Sequence, residues 1–191
     1  SLHHTAYLRK ICREWNLGQK KAPVPIAAKC KFEGTPIKND TGVYRRHLGQ
    51  AQYTCLMVRP DIAFCQSHLA RFSSCQTEEH LSALHQYKLY LNCTKSAGIT
   101  YKPYENPDAP LNLSASCDSD WRGCPETGSS HGGFHVYLQG SIIHWRSKIL
   151  PGMTKLSSAE SEFVKLGFAC RSVMFYRNLF KSLITPKFLK L

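Results

Sequence analysis

The chain has 191 residues, 42% of them hydrophobic, with nine Tyr and nine Phe, which is enough for one sizeable domain or two small ones. Twenty-five Lys and Arg against 13 Asp and Glu give a formal charge of +12. That charge predicts attraction to a polyanion, most simply nucleic acid, with marked salt dependence; a basic but solvated surface is the plainer alternative. No stretch is long and apolar enough to cross a bilayer, so no membrane partner is expected. No apolar run follows Ser1-Leu2-His3-His4-Thr5, and the nine Cys are odd in number and form no Cys-x-x-Cys pair. A reduced, intracellular setting is therefore expected, and a start at Ser reads as a fragment of something longer.

In chain order, residues 6–17 predict a short helix, with Tyr7, Leu8, Ile11 and Trp15 at helical spacing and a stop near Gly18. From 19 to 41, lysines, Pro23, Pro25, Pro36 and Gly34 dissolve the pattern into a linker. A helix resumes near Gly42 and runs toward Met57, with Tyr44, Leu48, Ala51 and Cys55 on one face. Pro60 suits the first position of the next helix, whose apolar residues are Ile62, Phe64, Leu69 and Phe72. Another begins after Thr77, with Glu78 and Glu79 in its first turn and Leu81, Leu84, Tyr87, Leu89 and Leu91 for burial. After Lys95-Ser96-Ala97-Gly98 the texture turns to strands near 99–103, 112–118, 133–139 and 141–147, the last two joined tightly at Gln139-Gly140. A helix from Ser158 to about Leu183 follows, with Phe163, Leu166, Cys170, Val173, Arg177 and Phe180 as its expected apolar face. Residues 185–191 would then open another strand. The predicted class is α+β, divided as 1–41 (short helix and basic linker), 42–97 (helical unit) and 98–191 (β-β-β-α).

Two carboxylate pairs stand out. In Leu156-Ser157-Ser158-Ala159-Glu160-Ser161-Glu162-Phe163, Ser157 and Glu160 have capping-box spacing ahead of a helical repeat. In Cys117-Asp118-Ser119-Asp120-Trp121, Asp118 ends a strand-like run. A carboxylate at a strand end facing one in the first turn of a helix can hold a hard divalent cation such as magnesium.

These stretches resemble the ribonuclease H domain of copia-type LTR retrotransposon Pol polyproteins. The first is similar to that family's Leu-Ser-Ser-Thr-Glu-Ala-Glu-Tyr, and Cys-Asp-Ser-Asp-Trp-Arg-Gly to its Ser-Asp-Ala-Asp-Trp-Ala-Gly. Gly133-Phe134-His135-Val136-Tyr137-Leu138 resembles the family's hairpin, and Ile143-His144-Trp145-Arg146-Ser147-Lys148 its Ile-Ser-Trp-x-Ser-Lys ending. Upstream, Tyr44-Arg45-Arg46-His47-Leu48-Gly49, Arg59-Pro60-Asp61-Ile62-Ala63-Phe64 and Leu69-Ala70-Arg71-Phe72 are similar to its reverse-transcriptase connection region. The motifs run in register from about Ala6 to Leu183.

The resemblance implies a helical connection-like unit followed by an incomplete ribonuclease H-like domain. It implies hydrolysis of the RNA strand of an RNA–DNA hybrid, with Mg²⁺ or Mn²⁺ as cofactor, in a cytoplasmic particle or the nucleus. By position it makes Asp118 and Glu162 catalytic metal ligands, Glu160 a capping or solvent residue, and Asp120 a turn residue. Arg146 and Lys148 become candidates for nucleic-acid phosphate contact, a fork and a point charge respectively. Two-metal hydrolysis needs several carboxylates, and the family uses four, two of them downstream of the helix. Here no Asp or Glu follows Glu162, and the remaining 29 residues carry six Lys and Arg instead. The expected cation is thus weakly held and the activity impaired. The strand bearing Asp118 should present an exposed edge prone to self-association.

The alternatives are a non-catalytic, basic nucleic-acid-binding remnant and a translated relic without function. No adjacent Asp pair exists for a polymerase site. Cys65, His68, Cys75, His80 and His85 hold enough soft ligands for zinc, but at no standard finger spacing. Trp121 and Trp145 could stack on bases or fill a core. The Gly at 123, 128, 132 and 133 read as turn chemistry ahead of the hairpin.

Overall fold

A computed structural model describes residues 1–27, 35, 37, 41–102, 110–120, 131–149 and 158–183. The chain divides into two compact units, Ser1–Ile99 and Thr100–Leu191.

The first unit is helical: α1 (Thr5–Trp15), α2 (Thr41–Met57), a 3₁₀ turn (Pro60–Ile62) running into α3 (Ala63–Ala70), and α4 (Glu78–Cys93). Two short strands, β1 (Leu2–His3) and β2 (Gly98–Ile99), pair antiparallel at its two ends. The α1 stop is made by Asn16 in the left-handed conformation, with Gly18 also at positive φ. The α2 stripe Tyr44, Leu48, Ala51 and Cys55 is buried as its spacing predicts, against Leu8, Ile11 and Trp15 of α1 and Leu84, Tyr87 and Leu91 of α4. Leu17 and Ala22 join the same core, so α1 and the segment after it pack as part of this unit. Phe64, expected inside, is 47% exposed; Cys65 takes the buried position instead.

Polar groups inside this core are bonded in pairs. Tyr44 Oη donates to Leu69 O at 2.9 Å, and Tyr87 Oη donates to Gln66 Oε1 at 3.1 Å, whose Nε2 donates to Leu48 O. Arg59, 1% exposed, forks onto Asp61 at 2.8 and 2.7 Å and donates to Thr94 O and Oγ1; Tyr90 Oη donates to Asp61 Oδ2. A buried guanidinium is tolerable only with its donors used, and this clamp uses them.

The second unit is a three-stranded antiparallel sheet, β3 (Leu113–Asp120), β4 (His131–Leu138) and β5 (Ser141–Ile149), in the order β3-β4-β5, with α5 (Ser158–Leu183) packed on β3 and β4. The β4–β5 link is the two-residue Gln139-Gly140 turn with both φ positive, 51° and 72°, the twist that suits a hairpin. The strand expected over 99–103 contributes only β2, and Tyr101 is exposed.

The buried face of α5 differs from expectation. Phe163 is 75% and Leu166 49% exposed, and Cys170 and Arg177 also face outward. Of the expected face, Val173 does meet the sheet; the rest of that contact is made by Lys165, Ala169 and the half-buried Phe168 and Tyr176, against Phe134 and Val136. Ala169 lets the helix lie close to the strands, and Lys165 lays its apolar stem along them while its amine finds carbonyls. The Ser157 cap, Trp121, and the final strand expected from 185 lie outside the described residues, as do the side chains of Asp120 and Glu160.

Candidate functional site

β3 carries Cys117 opposite Phe134 of β4, and Asp118 opposite Gly133. α5 starts at Ser158, which puts Glu162 near its N-terminus. Cys117, Asp118, Glu162, Phe163, Lys165 and Leu166 line one open recess of ≈ 350 Å³. The two acids expected to hold a cation therefore meet in one recess, and both are exposed.

Lys165, one turn after Glu162, is the residue that sequence reasoning passed over. It is 4% exposed, and its Nζ donates to Gly132 O at 2.7 Å and to Lys148 O at 3.0 Å, tying α5 to β4 and β5. Burial, reinforced by the nearby charges of Arg146 and Lys148 and opposed by Cys117, brings its pKa down to about 8. The route to those carbonyls crosses Gly132. A Cβ built there would run into Lys165 Cε and stand 2.8 Å from Asp118 O. The Gly132-Gly133 doublet inside a strand was the available signal, since glycine in a strand interior marks a close approach.

Arg146 and Lys148 lie on β5 opposite Phe134 and Gly132, on the side facing α5, and both are exposed. Neither lines the carboxylate recess. Arg146 lines a second opening of ≈ 350 Å³, between β5 and α5, with Phe134, His144, Phe168, Arg171 and Tyr176 among its other walls. Trp145 is half-buried opposite His135, on the other side of the sheet.

Two carboxylates can hold one hard cation, with water completing its shell. They do not fit a pair of cations, which needs shared and additional acids. Among the described residues, no group of three His, Cys, Asp or Glu could hold a metal. The soft residues upstream have other occupations. Cys65 Sγ donates to Pro25 O at 3.6 Å, and His80 Nδ1 accepts the Thr77 backbone N–H at 3.0 Å as a helix cap. Burial pushes the Cys12 and Cys55 thiols up to about 11 and about 12, which leaves them poor nucleophiles at neutral pH.

Comparison with known proteins gives relatives over most of the chain. It is 35% identical over 147 residues to the retrovirus-related Pol polyprotein from transposon RE1 of Arabidopsis thaliana, covering 75% of this chain and 10% of that protein. It is 32% identical over 156 residues to the corresponding polyprotein from transposon RE2, covering 80% and 10%. A third relative, the uncharacterized mitochondrial protein AtMg00810 of the same plant, is 32% identical over 164 residues, covering 85% of this chain and 66% of its own. The chain thus spans about a tenth of the length of the polyproteins it matches. No family model matches it, and no solved structure does.

Proposed function

Because the chain belongs to the retrovirus-related Pol polyproteins of transposons, we propose that its second unit is the opening β-β-β-α portion of a copia-type ribonuclease H-like domain. The parent reaction is metal-dependent hydrolysis of the RNA strand in an RNA–DNA hybrid, and these residues by themselves carry it only in impaired form. The observation that supports this reading is the meeting of Asp118 and Glu162 in one recess, from a strand and from the start of the helix that packs on it. In the proposal these two carboxylates bind and orient a single Mg²⁺ or Mn²⁺ weakly. Such a cation would supply charge stabilisation at the phosphoryl oxygen. No step is assigned to a second cation, because these two carboxylates do not hold a pair.

The test is cleavage of a labelled RNA–DNA hybrid by the purified chain in Mg²⁺ or Mn²⁺, beside Asp118→Asn and Glu162→Gln. The expected result is hybrid binding with cleavage no greater than the two variants give. Cleavage by the parent chain that both substitutions abolish would overturn the impairment. A second reading, a non-catalytic basic nucleic-acid-binding module, is favoured by the exposed Arg146 and Lys148 sharing one side of the sheet. Under it, both acid variants bind the hybrid as the parent does and added Mg²⁺ changes nothing.

A further inference from the structure

The opening between β5 and α5 has a composition unlike that of the carboxylate recess. Its walls are aromatic and cationic: Phe134, His144, Phe168 and Tyr176 with Arg146 and Arg171, and Phe175 at its rim is 61% exposed. No acid lines it among the described residues. The rings are already arranged for face and edge contact. His144 meets Phe134 edge-on at 5.3 Å and Tyr176 at 5.7 Å, and Phe175 meets Tyr176 at 5.2 Å. The Arg171 guanidinium lies 4.7 Å from the centre of the Phe168 ring, which leaves its planar fork at the rim. His144 Nδ1 is buried with no hydrogen-bond partner among the described residues.

We infer that this groove holds a nucleotide unit of a single-stranded nucleic acid, with a base stacked on the exposed Phe175 ring and flanking phosphates on Arg146 and Arg171. The exposed ring and the two arginines each have a matching part in that ligand. A bare anion would leave the rings unused, and an apolar peptide would leave two arginines facing nothing. Stacking is tolerant of base identity, so the groove selects unpaired strand over duplex and not one sequence over another. The site is separate from the recess and needs neither Asp118, Glu162 nor a cation. It therefore goes beyond the proposed nuclease reading and does not depend on it.

The experiment is fluorescence anisotropy of labelled oligothymidylate with the full chain across a salt series, beside a blunt duplex of matched length. Phe175→Ala should weaken single-strand binding by about fivefold or more, the loss of roughly one stacked base, with the salt slope unchanged. Arg171→Ala should weaken it and reduce the slope of log K against log salt by about 0.7, one phosphate contact. Arg13→Ala, on the exposed side of α1, is the charge-matched control and should change little. Phe175→Trp keeps the ring, retains affinity, and should show emission quenched by the oligonucleotide, a signature that loss of fold would not produce. Added EDTA should leave the affinity unaltered, which separates this groove from the fate of the nuclease reading, whose cation it would remove. Unchanged binding by Phe175→Ala, an Arg13→Ala effect equal to that of Arg171→Ala, or ready displacement by a polyglutamate peptide would each overturn the assignment.

Discussion

Arg59 is the costliest side chain in the first unit to misplace. Its charge is tolerated because Asp61 meets it with two hydrogen bonds and Thr94 with two more. Burial alone would raise the Asp61 carboxyl, but the Arg59 fork and the Tyr90 hydroxyl outweigh it and leave the pKa lowered. Asp61→Ala should cost about 3 kcal/mol in urea unfolding, and adding Arg59→Met should recover much of it, since the cost is that of a stranded cation. A carboxyl with a depressed folded pKa contributes stability above its unfolded value that fades as pH falls through the folded one. The Asp61 contribution should therefore persist at pH 5 and disappear in the acid range below the ordinary carboxyl value of 3.8. Lys165 gives the same slope with pH but as a penalty, because here it is the charged form that folding disfavours. Its folded pKa is lowered from 10.5 to about 8, so the unfolded chain binds the extra proton between those values, and stability rises with pH across that window. Comparing Lys165→Met with the parent in urea at pH 7 and pH 10 isolates this. The parent should gain, relative to the variant, an amount on the order of a few kcal/mol.

At the scale of elements, α5 is where sequence and structure part. Apolar spacing alone favours Phe163, Leu166 and Cys170, and it counts Lys165 as a solvent residue. The sheet beneath has Gly132 at the crossing point, so it accepts a long side chain there and a small Ala169 one turn on. That pairing is a tertiary fact that helical periodicity does not contain. The α2 stripe and the Gln139-Gly140 turn were legible because each depends on local spacing or backbone chemistry. The meeting of Asp118 with Glu162 was legible from the quoted motifs, whereas the groove at His144 combines a strand and a helix with no sequence signature. If the structural stripe is right, Phe163→Ser and Leu166→Gln should each change stability by less than about 0.5 kcal/mol. Ala169→Leu should cost about 1–3 kcal/mol by overfilling the contact with Phe134 and Val136. Thermal melts of the three variants decide between the two faces.

Across the whole molecule the two units are unequal. Among the described residues, eighteen buried hydrophobic side chains form the core of the first unit, and Phe134, Val136 and Ala169 that of the second. Unfolding should therefore deviate from a single transition, with the sheet unit opening at lower denaturant. With Trp121→Phe and Trp145→Phe leaving Trp15 as the sole indole, emission reports on the helical unit and should change after the far-ultraviolet signal has begun to fall. Coincident curves from both probes would contradict this inequality. Among the described strands β3 stands at one edge of its sheet, and exposed Phe163 and Leu166 lie beside it at the recess. Concentration-dependent association is the expected companion of that arrangement, and sedimentation over a concentration series checks it.

The pairing of Leu2–His3 with Gly98–Ile99 brings the two ends of the helical unit side by side. Gly98 permits it, because any Cβ there would collide with the Leu2 carbonyl and crowd His3. A unit whose entrance and exit coincide behaves as a cassette. It can be inserted into a host loop, or cut elsewhere and rejoined at this seam, without displacing its neighbours. The same seam is its mechanical weak point. A pull applied between the amino terminus and the residues after Ile99 loads two residue pairs in succession, so the clip should peel apart at low force while the helical core stays folded.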